Sequence, residues 1–252
     1  MDARLDPALK IAEFLLQIKA VKLSPKKPFT WASGWKSPIY CDNRKTLSYP
    51  AVRTFLRQQF VQAINLEFGR PDLIAGVATG GIAHGALVAH DLGLPFVYVR
   101  SSAKEHGMKN QVEGDLTTGR SVVVVEDLVS TGKSSLAAVH ALRDEGCEVK
   151  GMVSIFTYGF DEAVRSFEQE KVKLKSLTNY SVLLDQAMHD SYITEKDMLN
   201  LTEWRKDPAN WGKPANLPDR QAGERTADRS GQASASPADR QASTQPEASA
   251  TN

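Results

Sequence analysis

Apolar residues recur at helical spacing twice in the first 65 positions. Ile11, Phe14, Leu15 and Ile18 follow Asp6-Pro7, an N-cap residue with proline at the first helical position, and predict an opening helix. Pro50 opens a second, with Val52, Phe55, Leu56, Phe60 and Ile64 on one face. Between them, residues of about 22–46 lose that rhythm. Ser24-Pro25, Ser33-Gly34 and Ser37-Pro38 punctuate short apolar pieces such as Phe29-Thr30-Trp31 and Ile39-Tyr40. This predicts short strands and turns, a small hood and not a core helix.

From Leu73 the pattern changes. Leu73-Ile74-Ala75-Gly76-Val77-Ala78 is a short apolar run that ends in Thr79-Gly80-Gly81, and a small-residue helix over 82–92 follows. Phe96-Val97-Tyr98-Val99 is a second buried-type strand, and Val122-Val123-Val124-Val125 is the strongest strand signal in the chain. A helix over 134–145, ended by Gly146, precedes a strand at Met152-Val153-Ser154-Ile155-Phe156. Short apolar strands alternating with helices imply parallel pairing with both sheet faces covered. The fold class expected is therefore α/β, an open, mostly parallel sheet flanked by helices with a small hood. Ligands of such sheets bind beyond the carboxyl ends of the strands. The exits after 78, 99 and 125 are where chemistry is expected.

Composition changes this picture at the C-terminus. The 41 residues after Trp211 hold no aromatic, Ile, Val, Met or Cys, and a single Leu, Leu217. Such a stretch buries too little apolar area to offset the entropy of ordering it, so 212–252 is read as a disordered low-complexity tail and 1–211 as one domain. The chain holds 31 basic and 30 acidic residues. The tail holds five of each, so the domain carries the same +1. That balance argues against a broad nucleic-acid footprint. Cys41 and Cys147 stand in no metal-ligand spacing and fit a reducing compartment. The start Met-Asp-Ala-Arg-Leu-Asp lacks the layout of a secretory signal, and no apolar run approaches the ~18 residues of a membrane span. A cytoplasmic protein with no nucleic-acid or membrane partner is expected.

The exit after Val125 reads Glu126-Asp127-Leu128-Val129-Ser130-Thr131-Gly132-Lys133-Ser134. The helix that starts there offers unpaired N–H groups and a positive dipole end; with the hydroxyls and a glycine for close approach, this is a phosphate cradle. The two carboxylates suit vicinal sugar hydroxyls or a magnesium ion carried by the ligand. Gly132-Lys133-Ser134 imitates the end of a triphosphate P-loop, but that motif needs glycine at 127, where this chain has Asp. A plain helix cap accounts for one capping residue and not for the whole run. Thr79-Gly80-Gly81 lets backbone amides face an anion, though alone it reads equally as a tight turn. Residues 100–116 form a long, polar, basic loop with Gly107 and Gly114 as hinges. In it Arg100, Lys104 and His106 could neutralise a leaving group, and closure would exclude water. His84, His90 and His140 fall on predicted helices, in structural or exposed positions.

An apolar strand, Glu-Asp, two apolar residues and Ser-Thr-Gly-Lys-Ser resembles the phosphoribosyl diphosphate (PRPP) signature of type I phosphoribosyltransferases. Tyr98-Val99-Arg100, Lys104-Glu105-His106-Gly107 and Asn110-Gln111-Val112-Glu113-Gly114 resemble the catalytic loop of the orotate phosphoribosyltransferases. The hood segment at 29–40 resembles that family's substrate-side motif, and Ile155-Phe156-Thr157-Tyr158-Gly159 one bacterial branch of it. The resemblance covers roughly residues 10–205.

It implies a glycosyltransferase of pyrimidine (UMP) synthesis that transfers the 5-phosphoribosyl group of PRPP to orotate, with Mg2+ arriving on PRPP. Lys104, His106 and Asp127 are then catalytic. PRPP is bound by Arg100, Lys104, His106, Glu126, Asp127, Leu128, Val129, Ser130, Thr131, Gly132, Lys133 and Ser134. Thr79, Gly80 and Gly81 form the pyrophosphate loop, and Ser130 touches orotate. The resemblance also implies a homodimer with shared active sites, Lys104 and His106 acting across it. The chain departs from many relatives at Ser101, where a second basic residue is common, at Ala32 and Gly80, where some carry lysine, and at Tyr158, near which some carry arginine. Lys36 or backbone amides are left to hold the orotate carboxylate. A purine-base phosphoribosyltransferase and a non-catalytic PRPP-binding regulator are the alternatives on the same fold.

Overall fold

The structure, a computed structural model, describes residues 6–31, 34–101 and 111–212. The tail expected over 212–252 lies, apart from Gly212, outside the described residues. Helix α1 (Pro7–Gln17) starts as expected, with the Asp6 carboxylate accepting from the Ala8 N–H at 2.9 Å. The hood follows as two small antiparallel pairs, β1 (Val21–Leu23) with β4 (Ile39–Cys41) and β2 (Phe29–Thr30) with β3 (Lys36–Ser37). A 3₁₀ helix, Asn43–Ser48, leads from it into α2 (Pro50–Glu67).

Then come β5 (Leu73–Val77), α3 (Gly80–Leu92), β6 (Phe96–Val99), β7 (Val112–Glu113), β8 (Ser121–Val129), α4 (Lys133–Asp144) and β9 (Glu148–Thr157). After them come α5 (Asp161–Gln169), β10 (Leu174–Asn179), α6 (Tyr180–His189) and α7 (Glu195–Lys206). The six-stranded sheet has the order β10-β9-β8-β5-β6-β7. All neighbours pair parallel except β7, which runs antiparallel on the edge of β6. The expected mostly parallel sheet is thus present. Beyond Phe156 the sequence pattern predicts no element, and the structure adds β10 and three helices.

The four valines of β8 are fully buried because successive side chains point to opposite faces of a sheet covered on both sides. Val123 and Val125 join a core built with α1, α2, α3 and α6. Val122 and Val124 join a second core closed by Leu136, Val139 and Leu142 of α4 and Phe167 of α5. β8 runs on past the valines, paired with β9 as far as Val129↔Thr157. The two carboxylates expected beyond the strand therefore stand inside it, on a backbone that a neighbouring strand holds.

Candidate active site

The sheet order creates the crevice. From β5 the chain winds outward to β6, and from β8 it winds the other way to β9 and β10. The helices diverge from the β5–β8 seam, and a ligand site belongs beyond its carboxyl ends. A cavity of about 290 Å³ lies there. Val77 to Gly80 line it from β5; Glu126 to Leu128, then Ser130, Thr131, Gly132 and Ser134, line it from β8. The sequence-predicted loops at 79–81 and 126–134 thus meet, although 47 positions separate Thr79 from Glu126.

Helix α4 opens directly on this cavity. Gly132 takes φ +83°, a left-handed conformation that glycine adopts without a Cβ penalty. No side chain caps the helix, so its first amides and the positive end of its dipole are left for an anion. Opposite, a Cβ on Gly80 would run into the Asp127 carboxyl group. The absent side chain is what lets the loop before α3 close on that carboxylate. The Ala78–Thr79 peptide is cis.

Glu126 is 4% exposed. Its Oε1 accepts from the Asp127 N–H at 3.0 Å and its Oε2 from the Ser135 hydroxyl at 3.1 Å. Burial, and then the adjacent Asp127 charge, pushes its carboxyl well above the usual carboxylate range. Burial raises Asp127 as well, opposed first by its hydrogen bond with the Glu126 side chain and then by the Arg44 guanidinium. The Asp127 carbonyl accepts from Asn43 Nδ2 at 2.6 Å. Sequence reading singled out neither Ser135 nor Asn43. A serine one position beyond the Ser-Thr-Gly-Lys-Ser run was the available signal for the first; for the second there was none, because its partner lies 84 positions away.

Other expected site residues sit differently. Val129 is buried, and its carbonyl accepts from the Tyr158 N–H at 3.2 Å. Lys133 is exposed and lines a separate depression with Thr131, His140 and Glu170. Arg100 follows β6, one strand beyond β5; its guanidinium meets Glu113 at 3.4 Å, and its backbone is held by Gln111. Lys104 and His106 lie outside the described residues, as does Ala32. Lys36 is engaged within its hairpin, donating to Thr30 Oγ1 at 2.8 Å. Tyr158 is 2% exposed, with ring centroids 5.3 Å from Trp31 and 5.8 Å from Trp204. It is part of the packing under the hood. Of the histidines on the predicted helices, His90 and His140 are exposed and His84 is buried, its pKa pushed down to about 4 by burial.

Volume alone does not mark the site. A larger cavity, about 590 Å³, lies among Trp35, the start of α5 and the end of α7 and includes none of these strand-exit residues. The buried paired carboxylates, the glycine loop and the uncapped helix converge only on the smaller one. Among the described residues no group of three His, Cys, Asp or Glu is placed to cage a metal ion, and no helix is long and apolar enough to cross a membrane.

Comparison with known proteins converges on the same region. The phosphoribosyl transferase domain family matches residues 51–182, which include both cavity loops. An orotate phosphoribosyltransferase of Phocaeicola vulgatus is 60% identical over 200 residues, 79% of this chain and 94% of that protein. One of Listeria innocua is 55% identical over 204 residues, 81% of this chain and 98% of that protein. Among solved structures, the orotate phosphoribosyltransferase of Aeropyrum pernix is similar with a TM-score of 0.64 at 30% identity, over 71% of this chain and 98% of that one.

Proposed function

The chain belongs to the orotate phosphoribosyltransferases of the phosphoribosyl transferase domain family, and from that membership we propose that it transfers the 5-phosphoribosyl group of PRPP to orotate, giving orotidine 5-monophosphate and pyrophosphate. The fold is the type I phosphoribosyltransferase fold, the reaction belongs to pyrimidine (UMP) synthesis, and we assign the chain to the cytoplasm. The observation that carries the reading is the single crevice in which the Glu126–Asp127 pair faces both the uncapped start of α4 and the loop at Thr79-Gly80.

In this transfer a ring nitrogen of orotate, bound already deprotonated, attacks the anomeric carbon as the pyrophosphate oxygen leaves it. Positive charge develops on the ribose and negative charge on the leaving group. The α4 amides and the hydroxyls of Ser130, Thr131 and Ser134 hold the 5-phosphate. Asp127 faces the ribose hydroxyls, and its field favours the developing cation. Glu126, tied by Ser135 and the Asp127 N–H, keeps that stretch of β8 in place. Thr79, Gly80 and Gly81 offer backbone amides to pyrophosphate. Lys104 and His106, with Arg100 at the base of the same loop, are assigned to the leaving group, and Ser130 to orotate.

The donor set at the cavity is of hard oxygens, with Glu126 already engaged by two hydrogen bonds. That fits a magnesium ion held chiefly by PRPP oxygens, with Asp127 the carboxylate lining the cavity beside it. Bound so, the ion would neutralise charge on the pyrophosphate. The active unit is assigned as a homodimer with shared sites. The adenine phosphoribosyltransferase of Leishmania tarentolae shares the fold, with a TM-score of 0.53 at 23% identity, and that likeness carries no argument for a purine base.

The test is loss of orotate's ultraviolet absorbance on mixing the full chain with PRPP and magnesium. Turnover that needs PRPP and weakens without magnesium or in Lys104→Ala is expected. Calorimetric PRPP binding with no orotate consumed would instead support a regulator or another base.

A further inference from the structure

The 3₁₀ helix Asn43–Ser48 belongs to neither loop of the crevice, yet it bonds to the elements that carry both. Asn43 and Thr46 have no exposed surface, and His84 is 1% exposed. Asn43 Nδ2 donates to the Asp127 carbonyl at 2.6 Å, and its Oδ1 accepts from the Cys41 thiol at 3.2 Å. Both ends of the amide are thereby satisfied, and the opposite flip would set carbonyl against carbonyl. The Thr46 hydroxyl donates to the Asn43 carbonyl at 2.5 Å and meets His84 Nε2 at 3.2 Å. A hydroxyl has one proton, and this one is used on Asn43. His84 Nε2 therefore carries the hydrogen and donates to Thr46. His84 stands on α3, four residues beyond Gly80.

This chain of bonds reaches a part of β8 that the sheet leaves half supported. Pairing of β5 with β8 ends at Gly76↔Val125, two residues before Asp127. Past that point β8 is held by β9 alone on its ladder side, and the asparagine amide from the hood side grips the Asp127 backbone. Through Thr46 and His84 the same short helix is fixed to α3, the element that the Thr79–Gly81 loop opens.

We propose that Asn43 is a positioning residue for the transferase: with Thr46 and His84 it sets the distance between the carboxylate pair of β8 and the loop before α3. The proposal rests on the transferase reading above. It acts through Asp127, with no contact between Asn43 and the reacting groups. A ribose bound by one loop and a pyrophosphate bound by the other are parts of one PRPP molecule, so the spacing between loops governs how well both ends bind together.

The experiment compares wild type, Asn43→Ala, Thr46→Val and Thr46→Ser for Tm, kcat, KM of each substrate, and PRPP binding by calorimetry. Asn43→Ala should weaken PRPP binding and raise KM for PRPP by about tenfold or more, since it removes a donor and leaves a buried carbonyl unsatisfied. KM for orotate should change much less. Thr46→Val should do the same more weakly, and Thr46→Ser, which keeps the hydroxyl, should restore the wild-type value. A folded Asn43→Ala protein with a lowered Tm but unchanged PRPP affinity and KM would overturn the proposal. Should Asn43→Ala not fold, equal PRPP affinity in Thr46→Val and Thr46→Ser would overturn it. Wild type that binds PRPP but consumes no orotate would overturn the transferase reading, while the calorimetric comparison of the variants still decides the role of Asn43.

Discussion

Two adjacent carboxylates in a buried strand are costly, and their cost separates stability from function. Glu126 is raised by burial first and by Asp127 second. A carboxyl whose folded pKa lies above its unfolded value adds stability below the unfolded pKa, and that stability is lost as pH rises through the folded one. Above the ordinary carboxylate range the buried Glu126 carboxyl therefore weighs against folding. Glu126→Gln keeps an acceptor for the Asp127 N–H and offers an N–H to the Ser135 hydroxyl, which can also accept. It should raise Tm by a few degrees at pH 7–8, about what 1 kcal/mol gives a domain of this size, with the gain shrinking as pH falls toward 4.5. Transfer should fall less than in Asp127→Asn, because Glu126 supports the stretch of β8 whose Asp127 supplies the negative field at the ribose. Thermal melts across pH check it, and a gap that widens on acidification would refute the assignment. The pair itself was legible as Glu-Asp after four valines. Its supports were less so: Asn43 is an ordinary polar residue until the fold brings it to Asp127.

Elements with a strong local rhythm were legible, and those held by distant partners were not. The valine run announced β8, but its extension to Val129 depends on the ladder with β9, which no local pattern contains. Strand β10 reads Leu-Lys-Ser-Leu-Thr-Asn and is a strand because β9 pairs with it. The hood was read as strands and turns, and so it is. What anchors it comes from the far end of the domain, however. Trp204 of α7 is fully buried, packs its ring 5.6 Å from Trp31, and donates from Nε1 to the Lys36 carbonyl at 3.1 Å. Trp204→Ala should cost about 3–5 kcal/mol, the usual range for emptying a buried aromatic site. Trp204→Phe keeps a ring, loses only the N–H and part of the volume, and should cost less than half of that. Because α7 holds the hood and not the strand exits, the Phe variant should raise KM for orotate more than KM for PRPP. Denaturant melts and initial rates check both, and an equal rise in the two KM values would detach the hood from the base.

At the scale of the whole molecule, the described crevice is lined by carboxylates, hydroxyls and backbone amides, with no Lys or Arg among the described residues that line it. Arg100 meets Glu113 at 3.4 Å, Arg44 pairs with Asp42 at 2.7 Å, and Lys133 lies on the outer side of its loop. Charge developing on pyrophosphate calls for positive groups beside it, and the sequence places Lys104 and His106 in the loop between β6 and β7. If that loop closes over a neighbouring subunit, each site is built from Asp127 of one chain and Lys104 of the other. Mixing inactive Lys104→Ala and Asp127→Asn chains then gives heterodimers with one doubly damaged site and one intact site. Random exchange forms heterodimers in half of the dimers, so recovery to roughly a quarter of wild-type activity is expected for a two-fold symmetric assembly. With the loop acting on its own chain, both sites of the heterodimer keep one lesion and no activity returns. Rates measured on heterodimers isolated with two different affinity tags distinguish the two arrangements, because only the shared site can make a working enzyme from two dead chains.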